Sequence, residues 1–289
     1  DWGSGVPKRY TKGSYGEENP IYDKVSGSNI KIYGESISHI LAPSGGWTKA
    51  TVGLSLKLLN IDLSNSSLAQ IDLSEAALLN SLNVSSCKLK ELTLGKKSKL
   101  TYLWAQGNQL STIDLSGCSS LQNIDISQNQ LSGTITLGAT ITSADLSDNN
   151  LTEVQLAPES QMTDLSIRNN RLSSFSISGV PHLRMLDLFK NKLTSVSLQG
   201  KLQELVSLNL GKNQITHIDL TQCTELRGLT ISYNPIKKIV LSPCKELTSL
   251  SIYHTSLTEL DLSHTVNLKN IEAMNGKLTA IDLSPCLDL

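Results

Sequence analysis

The apolar residues of this chain recur in one frame, which can be written L-x-x-L-x-L-x-x-N-x-L-x-x-I-x-L. Aligned on it, the sequence contains eleven units, and eight of the ten intervals between unit starts are equal, with one shorter and one longer by a single position. Chance apolar alternation would lose phase within a few units, so a sustained period of about 21 residues predicts a repeat architecture. The units begin at Leu58, Leu79, Leu100, Leu121, Ile141, Met162, Leu183, Leu205, Leu226, Leu247 and Leu268.

Each unit contains the pattern of a short strand followed by a return. Positions 4 and 6 are apolar and alternate with outward residues, which is the period of a half-buried strand. A single strand of this kind cannot close a core. Stacked units would place their strands in a parallel sheet about 4.8 Å apart, while apolar positions 11, 14 and 16 close the other wall. The pattern therefore predicts a right-handed solenoid with a parallel sheet on one side and short irregular or extended returns on the other.

Position 9 of the frame is asparagine in seven consecutive units. A carboxamide both donates and accepts hydrogen bonds, so at a buried bend it can pair with backbone groups that leave the sheet. We therefore interpret these side chains as structural. The column consists of Asn108, Asn129, Asn149, Asn170, Asn191, Asn213 and Asn234, and it departs to Ser66, Cys87, Thr255 and Gly276 near the ends.

The frame, together with a recurrent Ile-Asp-Leu-Ser, resembles leucine-rich-repeat proteins and specifically bacterial surface proteins of the internalin type. The tetrapeptide occurs at 61–64, 71–74, 113–116 and 281–284, and the resemblance extends from Leu58 to Leu289. It implies a leucine-rich-repeat solenoid with the parallel sheet on its concave face. It also implies an extracellular or surface-attached protein that binds a macromolecule of a host or neighbouring cell.

The chain divides at the start of the first clear unit. We expect residues 1–57 to form an N-terminal cap or flanking segment and residues 58–289 to form the array. A solenoid needs its first apolar layer covered, and half of the twelve aromatic residues lie in this segment. Two stretches within it, Asn29–Tyr33 and Thr51–Leu56, have the composition of strands. The six aromatic residues are Trp2, Tyr10, Tyr15, Tyr22, Tyr33 and Trp47.

Net charge and hydropathy limit the classes of partner that are expected. Lysine and arginine number 25 against 26 aspartate and glutamate, a formal net charge of −1. This balance gives no general attraction to phosphate backbones, so nucleic acid is not an expected partner. No stretch approaches the roughly 18 apolar residues of a membrane helix, and we expect no transmembrane segment.

The sequence contains no arrangement typical of catalysis. The five histidines fall at unrelated positions in the frame, and neither H-E-x-x-H nor paired C-x-x-C occurs. A G-x-S-x-G nucleophile motif is also missing from the sequence. We therefore expect no enzyme activity, no cofactor and no metal. An acidic row at position 5, formed by Asp62, Asp125, Asp145 and Asp187, is interpreted as solvated in preference to a cation site.

Four of the five cysteines share one place in the frame, three residues after the position-16 leucine. They are Cys118, Cys223, Cys244 and Cys286, whereas Cys87 occupies an asparagine position. The favoured interpretation is a small apolar side chain in a tight turn. The alternative is a disulfide between Cys223 and Cys244 of adjacent coils.

Aromatic residues gather on the outward face of the predicted sheet. Five of the six aromatics in the repeats lie at positions 2, 3, 5, 7 or 8, while Phe175 lies in a core column. Interfaces favour Tyr, Trp, Arg and Met, so these residues predict a ligand-binding face. The candidates are Tyr102, Trp104, Arg168, Met185, Phe189, Tyr233, Tyr253, His254 and Met274, with Lys190 and Lys212 along one margin. Alternatively, the rings cover a pleated surface without any partner.

Three functions fit these observations. The first is a non-enzymatic recognition or adhesion module that binds a protein or glycan on its concave face. The second is a structural spacer that binds nothing itself, and the third is the targeting domain of a larger surface protein. Since one fold serves many partners, the fold alone does not choose among them.

Overall fold

The computed structural model describes residues 29–32, 38–52, 57–200 and 202–289. These residues form strands and turns, and no helix occurs among them. The described chain is a leucine-rich-repeat solenoid in which each repeat forms one turn of the coil, which confirms the predicted fold class. It divides into two compact units, Asp1–Leu121 and Gln122–Leu289.

The first unit contains two sets of parallel strands, one on the strand side and one on the return side. Each strand pairs with the residues one repeat further along, as in Asn60↔Ser81 and Lys49↔Gln70. On the strand side lie β2 (His39–Leu41), β4 (Asn60–Asp62), β6 (Ser81–Asn83) and β7 (Tyr102–Trp104). On the return side lie β1 (Asn29–Ile32), β3 (Lys49–Val52) and β5 (Gln70–Asp72).

The segment before Leu58 already follows the repeat register. β2 and β3 pair with β4 and β5 at a spacing of one repeat, and Trp47 between them is buried, 4% exposed. Gly45 is required beside it, because a Cβ there would overlap the Trp47 ring. Trp2, Tyr10, Tyr15, Tyr22 and Tyr33 lie outside the described residues, as does 53–56 of the second expected strand. The boundary at residue 57 stays a prediction.

The second unit has a longer strand side of eight parallel strands. Its three-residue strands occupy positions 3 to 5 of the frame, and the position-4 side chain points inward in each. They are β8 (Asn123–Asp125), β10 (Ser143–Asp145), β12 (Asp164–Ser166), β14 (Met185–Asp187), β16 (Ser207–Asn209), β17 (Gly228–Thr230), β18 (Ser249–Ser251) and β19 (Asn270–Glu272).

The return side of the second unit is less regular. β9 (Ser132–Leu137) pairs with β11 (Asn150–Leu156) across a register shift, and β13 (Ser174–Ile177) pairs with β15 (Ser195–Leu198). Later repeats return through turns alone. In these turns the N–H at position 19 donates to the carbonyl at position 16, as from Cys223 to Leu220 at 2.9 Å. The two repeat intervals of unequal length are therefore accommodated on this side.

The asparagine column forms a ladder of buried hydrogen bonds along the second unit, and Asn108 makes equivalent bonds in the first. At Asn170, Oδ1 accepts from the N–H of Leu151 at 2.9 Å, and Nδ2 donates to the carbonyls of Leu146 at 3.0 Å and Ile167 at 3.2 Å. One side chain thus joins its own coil to the coil before it. Ser66 and Thr255 reproduce only the bond to their own coil, each at 2.8 Å. These contacts confirm the structural interpretation of the column.

The Ile-Asp-Leu-Ser tetrapeptide forms one kind of turn on both sides of the coil. Its aspartate accepts a hydrogen bond from the N–H of the serine two residues later. This bond is 3.0 Å from Ser64 to Asp62 on the strand side and 2.9 Å from Ser116 to Asp114 on the return side. The recurrence of the motif therefore has a local cause, since the carboxylate pairs with a backbone donor where the strand bends away.

Candidate ligand-binding face

The outward side chains of the strand side lie beside a backbone with an unusual conformation. Position 8 is left-handed in all eleven repeats, with φ between 51° and 68°. Glycine adopts this conformation readily, but other residues do so at a cost. Only one of the eleven is glycine. The residues are Asn65, Ser86, Gly107, Gln128, Asp148, Asn169, Lys190, Lys212, Tyr233, His254 and Asn275.

Within the second unit, side chains at positions 7 and 8 of successive repeats form what we call the cation–aromatic row. Its members come from the five repeats that begin at Met162, Leu183, Leu205, Leu226 and Leu247. All are exposed or half-buried. The row consists of Arg168, Phe189, Lys212, Tyr233, Tyr253 and His254.

The row is held together by contacts between neighbouring repeats. The Arg168 guanidinium lies 5.8 Å from the centroid of the Phe189 ring, and Lys212 Nζ lies 5.4 Å from the same ring. Lys212 Nζ also lies 5.3 Å from the ring of Tyr233. A cation over an aromatic face at such distances is stabilised by the ring quadrupole. Arg168, Phe189, Lys212 and Tyr233 therefore form a continuous chain of contacts.

At its other end the row is built from rings. His254 stacks on Tyr233 with centroids 4.5 Å apart and planes 12° from parallel. Tyr253 meets Tyr233 edge-on at 5.0 Å and 79°. Both arrangements are favourable aromatic geometries. Two tyrosines and a histidine thus form one compact cluster on the surface.

The backbone beneath the row is fixed by a second ladder of hydrogen bonds. In most repeats the N–H at position 8 donates to the carbonyl at position 7 of the next, as from Asn169 to Phe189 at 2.8 Å. Tyr233 donates to Tyr253 in the same way at 3.0 Å. The side chains consequently project from a backbone that does not have to be ordered on binding, which reduces the entropic cost of association.

The acidic row at position 5 has mainly a local role. The carboxylates of Asp62, Asp125, Asp145 and Asp187 each accept the N–H two residues later, at 2.9 to 3.0 Å. For Asp187, burial raises the pKa of the carboxyl, against the Phe189 N–H bond and the charge of Arg168, which lower it. No group of three potential metal ligands occurs within the described residues.

The remaining candidates are not members of the row. Tyr102 and Trp104 belong to the first unit, where their rings stack with centroids 5.6 Å apart and planes 7° from parallel. Met185 and Met274 are exposed, 52% and 70% respectively. The nine predicted residues thus divide into five members of the row, one stacked pair and two exposed methionines.

Sequence reasoning placed Lys212 on the margin, whereas the structure places it at the centre of the row. It bridges Phe189 and Tyr233, which are two repeats apart. The repeat frame carries a signal for this, because Lys212 occupies position 8 in the repeat between those two rings. Reading the frame across repeats at positions 7 and 8 together would have identified it.

The cysteines are buried and free, which agrees with the favoured interpretation of turn packing. Burial raises the pKa of the Cys223 thiol to about 12 and that of Cys244 to about 11. The Cys87 thiol donates a weak hydrogen bond to the carbonyl of Leu63. In this repeat Cys87 takes the place of the asparagine found in other repeats. None of these thiols reaches the strand face.

The chain is similar in structure to leucine-rich-repeat proteins, including an internalin. The functional domain of InlJ from Listeria monocytogenes, which includes a cysteine ladder, is 27% identical with a TM-score of 0.73. That similarity covers 81% of this chain and 52% of the InlJ domain, so the chain spans about half its length. No family model matches the chain, and no curated protein matches it.

Two further structures share the fold at lower identity. The leucine-rich-repeat protein LIC12759 from Leptospira interrogans is 20% identical over 84% of this chain and 76% of that one, with a TM-score of 0.67. YopM, a leucine-rich effector protein from Yersinia pestis, is 20% identical over 90% and 78%, with a TM-score of 0.68. The chain is thus internalin-like in fold, and its fold indicates an interaction module.

Proposed function

We propose that this chain is a non-enzymatic recognition module that binds a partner macromolecule on its strand face, centred on the cation–aromatic row. The contact that supports this most strongly is the cluster of Tyr233, Tyr253 and His254 on a hydrogen-bonded backbone. Rigid aromatic groups of this kind supply contact area at low entropic cost, and they are common anchors of protein interfaces.

Backbone strain under the cluster gives independent support. Tyr233 has a φ of 56° and His254 a φ of 55°. A bulky residue in this conformation is uncommon and costs about 1–2 kcal/mol relative to glycine. Asparagine, which tolerates it better, occupies the same position in three other repeats. The fold does not require a tyrosine and a histidine at these two positions, so their conformational cost supports a role for them in binding.

Location and anchoring follow from the resemblance alone. Similarity to an internalin favours a protein that is exported and meets a host or neighbouring cell. No helix in the described part of the chain has the length and hydropathy to cross a membrane. The alternatives are a spacer, which predicts that the strand face binds nothing, and the targeting domain of a larger surface protein.

The test begins with a screen of the purified protein against host proteins and glycans, followed by affinity measurements with substituted proteins. Tyr233→Ala and Tyr253→Ala should each weaken binding by about 1–3 kcal/mol, as loss of a central anchor commonly does. Lys238→Ala is a suitable control, because Lys238 is exposed on the return side. Asp219→Ala is a poorer control, since Asp219 accepts the N–H of Thr221 at 2.9 Å in its turn.

Melting temperatures of all variants separate binding from folding. Both tyrosines are outside the core, so their removal should leave the fold intact. Full affinity in the two tyrosine variants, together with loss in the control, would show that the binding face lies elsewhere. A protein that binds nothing in the screen would instead favour the spacer.

A further inference from the structure

We infer that the cation–aromatic row, together with Lys190 beside it, selects an acidic polypeptide segment of its partner, with the carboxylates of that segment placed against Arg168, Lys190 and Lys212. This inference rests on the proposed function and specifies the chemistry of the ligand. It depends on three observations: whether the cations form ion pairs, which side chains lie against the ring faces, and the net charge of the whole chain.

The three cations are exposed and form no ion pair. Across the described ranges, no carboxylate lies within ion-pair distance of Arg168, Lys190 or Lys212. Asp187 is near enough for its carboxyl to feel the charge of Arg168, but it is held by the N–H of Phe189. An ammonium or guanidinium has only donors to offer, and a cation–π contact leaves those donors free. These groups are therefore available for carboxylates.

The cations are also positioned in advance. Arg168 and Lys212 are held over Phe189. The backbone N–H groups of Lys190 and Lys212 each donate to the next repeat at 2.8 Å. The three residues come from consecutive repeats, whose strands lie about 4.8 Å apart. Long cationic side chains usually lose rotamer entropy on binding, and the ring contacts of Arg168 and Lys212 reduce this cost.

The rings beside them favour a polypeptide over a saccharide. Phe189 is flanked by Arg168 from the repeat before and Lys212 from the repeat after. Tyr233 is flanked in the same way by Lys212 and His254. Neighbouring side chains therefore lie against both rings, which leaves less of each ring face open for a sugar to stack on. The exposed side chain of Met185, two residues before Asp187 on the same face, offers a contact for apolar side chains.

Because the whole chain has almost no net charge, recognition of an acidic ligand has to depend on groups at one place on its surface. With a net charge of −1, the protein has no overall field that would collect polyanions. Arg168, Lys190 and Lys212 lie in three consecutive repeats, so they concentrate positive charge on this part of the strand face. A short acidic segment with apolar neighbours fits this surface better than an extended polyanion.

The experiment uses the whole chain and fluorescein-labelled oligoglutamate, with oligoglutamine of equal length as the uncharged probe. Fluorescence anisotropy at low salt should detect oligoglutamate binding, which weakens as salt increases. The variant R168E/K190E/K212E should bind roughly tenfold more weakly or not at all. The control K237E/K238E/K245E carries the same charge change on three exposed return-side lysines and should bind like the parent.

The inference requires that the two triple variants differ in their binding of oligoglutamate. Equal losses in the two triple variants, or no loss in either, would overturn it. Heparin or a single-stranded oligonucleotide binding more tightly than oligoglutamate, in a way that depends on the row, would also overturn the assignment to a polypeptide. Lys212→Gln provides a milder variant if the triple substitution lowers the melting temperature.

The proposed function can survive failure of this inference. If Tyr233→Ala loses the partner found by screening while R168E/K190E/K212E retains it, the strand face binds but not through acidic recognition. If neither loses it, the proposed function fails as well.

Discussion

The strand side and the return side of this solenoid both cover its apolar core, but their backbones differ in regularity. On the strand side, every repeat has a short strand, a left-handed residue at position 8 and backbone bonds to its neighbours. On the return side, some repeats pair as strands and others only turn. Because backbone and asparagine bonds hold the strand side together, its outward side chains at positions 7 and 8 are less constrained by the fold than those at position 5, and they can vary with function.

The largest expected difference between the sides is in thiol reactivity. Cys223 and Cys244 lie in return-side turns, where burial raises the pKa of Cys223 to about 12 from the usual 9.0. Its thiolate should be about a thousandfold scarcer than that of an ordinary cysteine at mildly alkaline pH. A thiol-specific reagent should therefore react very slowly with the native protein. After denaturation without reductant, all five cysteines should react. Two missing thiols would indicate a Cys223–Cys244 disulfide.

The asparagine ladder should carry more stability than any outward strand residue. Asn170→Ala removes an acceptor from the Leu151 N–H and a donor from two carbonyls, all buried. We expect a loss of about 1–3 kcal/mol in the free energy of unfolding, measured by denaturant titration. Asn123→Ala is the matched control, because Asn123 is an outward residue of β8. An unchanged midpoint for Asn170→Ala would mean that the ladder does not hold the coils together.

A substitution at position 8 can measure how much the left-handed conformation of Tyr233 lowers the free energy of unfolding. Tyr233→Asn should increase the free energy of unfolding by up to about 1 kcal/mol, because asparagine tolerates a φ of 56° better. The same change should weaken binding, since it removes the ring between Lys212 and His254. Val240→Asn, an exposed return-side change, should show neither effect. Loss of stability in Tyr233→Asn would mean that the ring contributes more to folding than its conformation costs.

Asp187 on the strand side should respond to pH in the opposite direction to Asp219 and Asp261 on the return side. Burial raises the pKa of Asp187 on the strand side, so its ionisation penalises the fold as pH rises through the folded pKa. Asp187→Asn keeps an acceptor for Phe189 and should stabilise at neutral pH by less than about 1 kcal/mol, given its partial exposure. Below the unfolded value of 3.8 the gain should vanish. A gain that is independent of pH would point to packing in place of charge.

The return-side aspartates supply the contrast. Hydrogen bonds from Thr221 lower the pKa of Asp219, and equivalent bonds from Ser263 lower that of Asp261. Their contribution to stability is present above the unfolded value of 3.8 and is lost as pH falls through the lower folded pKa. Asp219→Asn should therefore reduce stability slightly at neutral pH. Thermal melts at several pH values would distinguish the two sides.

Much of the architecture could be predicted because the repeat is a local rule applied many times. A near-constant period with apolar positions 4 and 6 requires stacking, and the asparagine column identifies the bend. The coil at 39–52 was missed, since glycines and Trp47 replace its usual residues, although its strands keep the register. Backbone pairing tolerates such substitutions better than a sequence pattern does.

The sequence alone therefore determined the fold and the set of outward residues, because both follow from position within one repeat. Tertiary structure decided which of those residues meet. Contacts across repeats joined Arg168, Phe189 and Lys212 to the Tyr233 cluster, but they left Tyr102 and Trp104 as a separate pair. Frame position sets the direction of a side chain, whereas contact between long flexible side chains depends on rotamers chosen by neighbours in the adjacent coils.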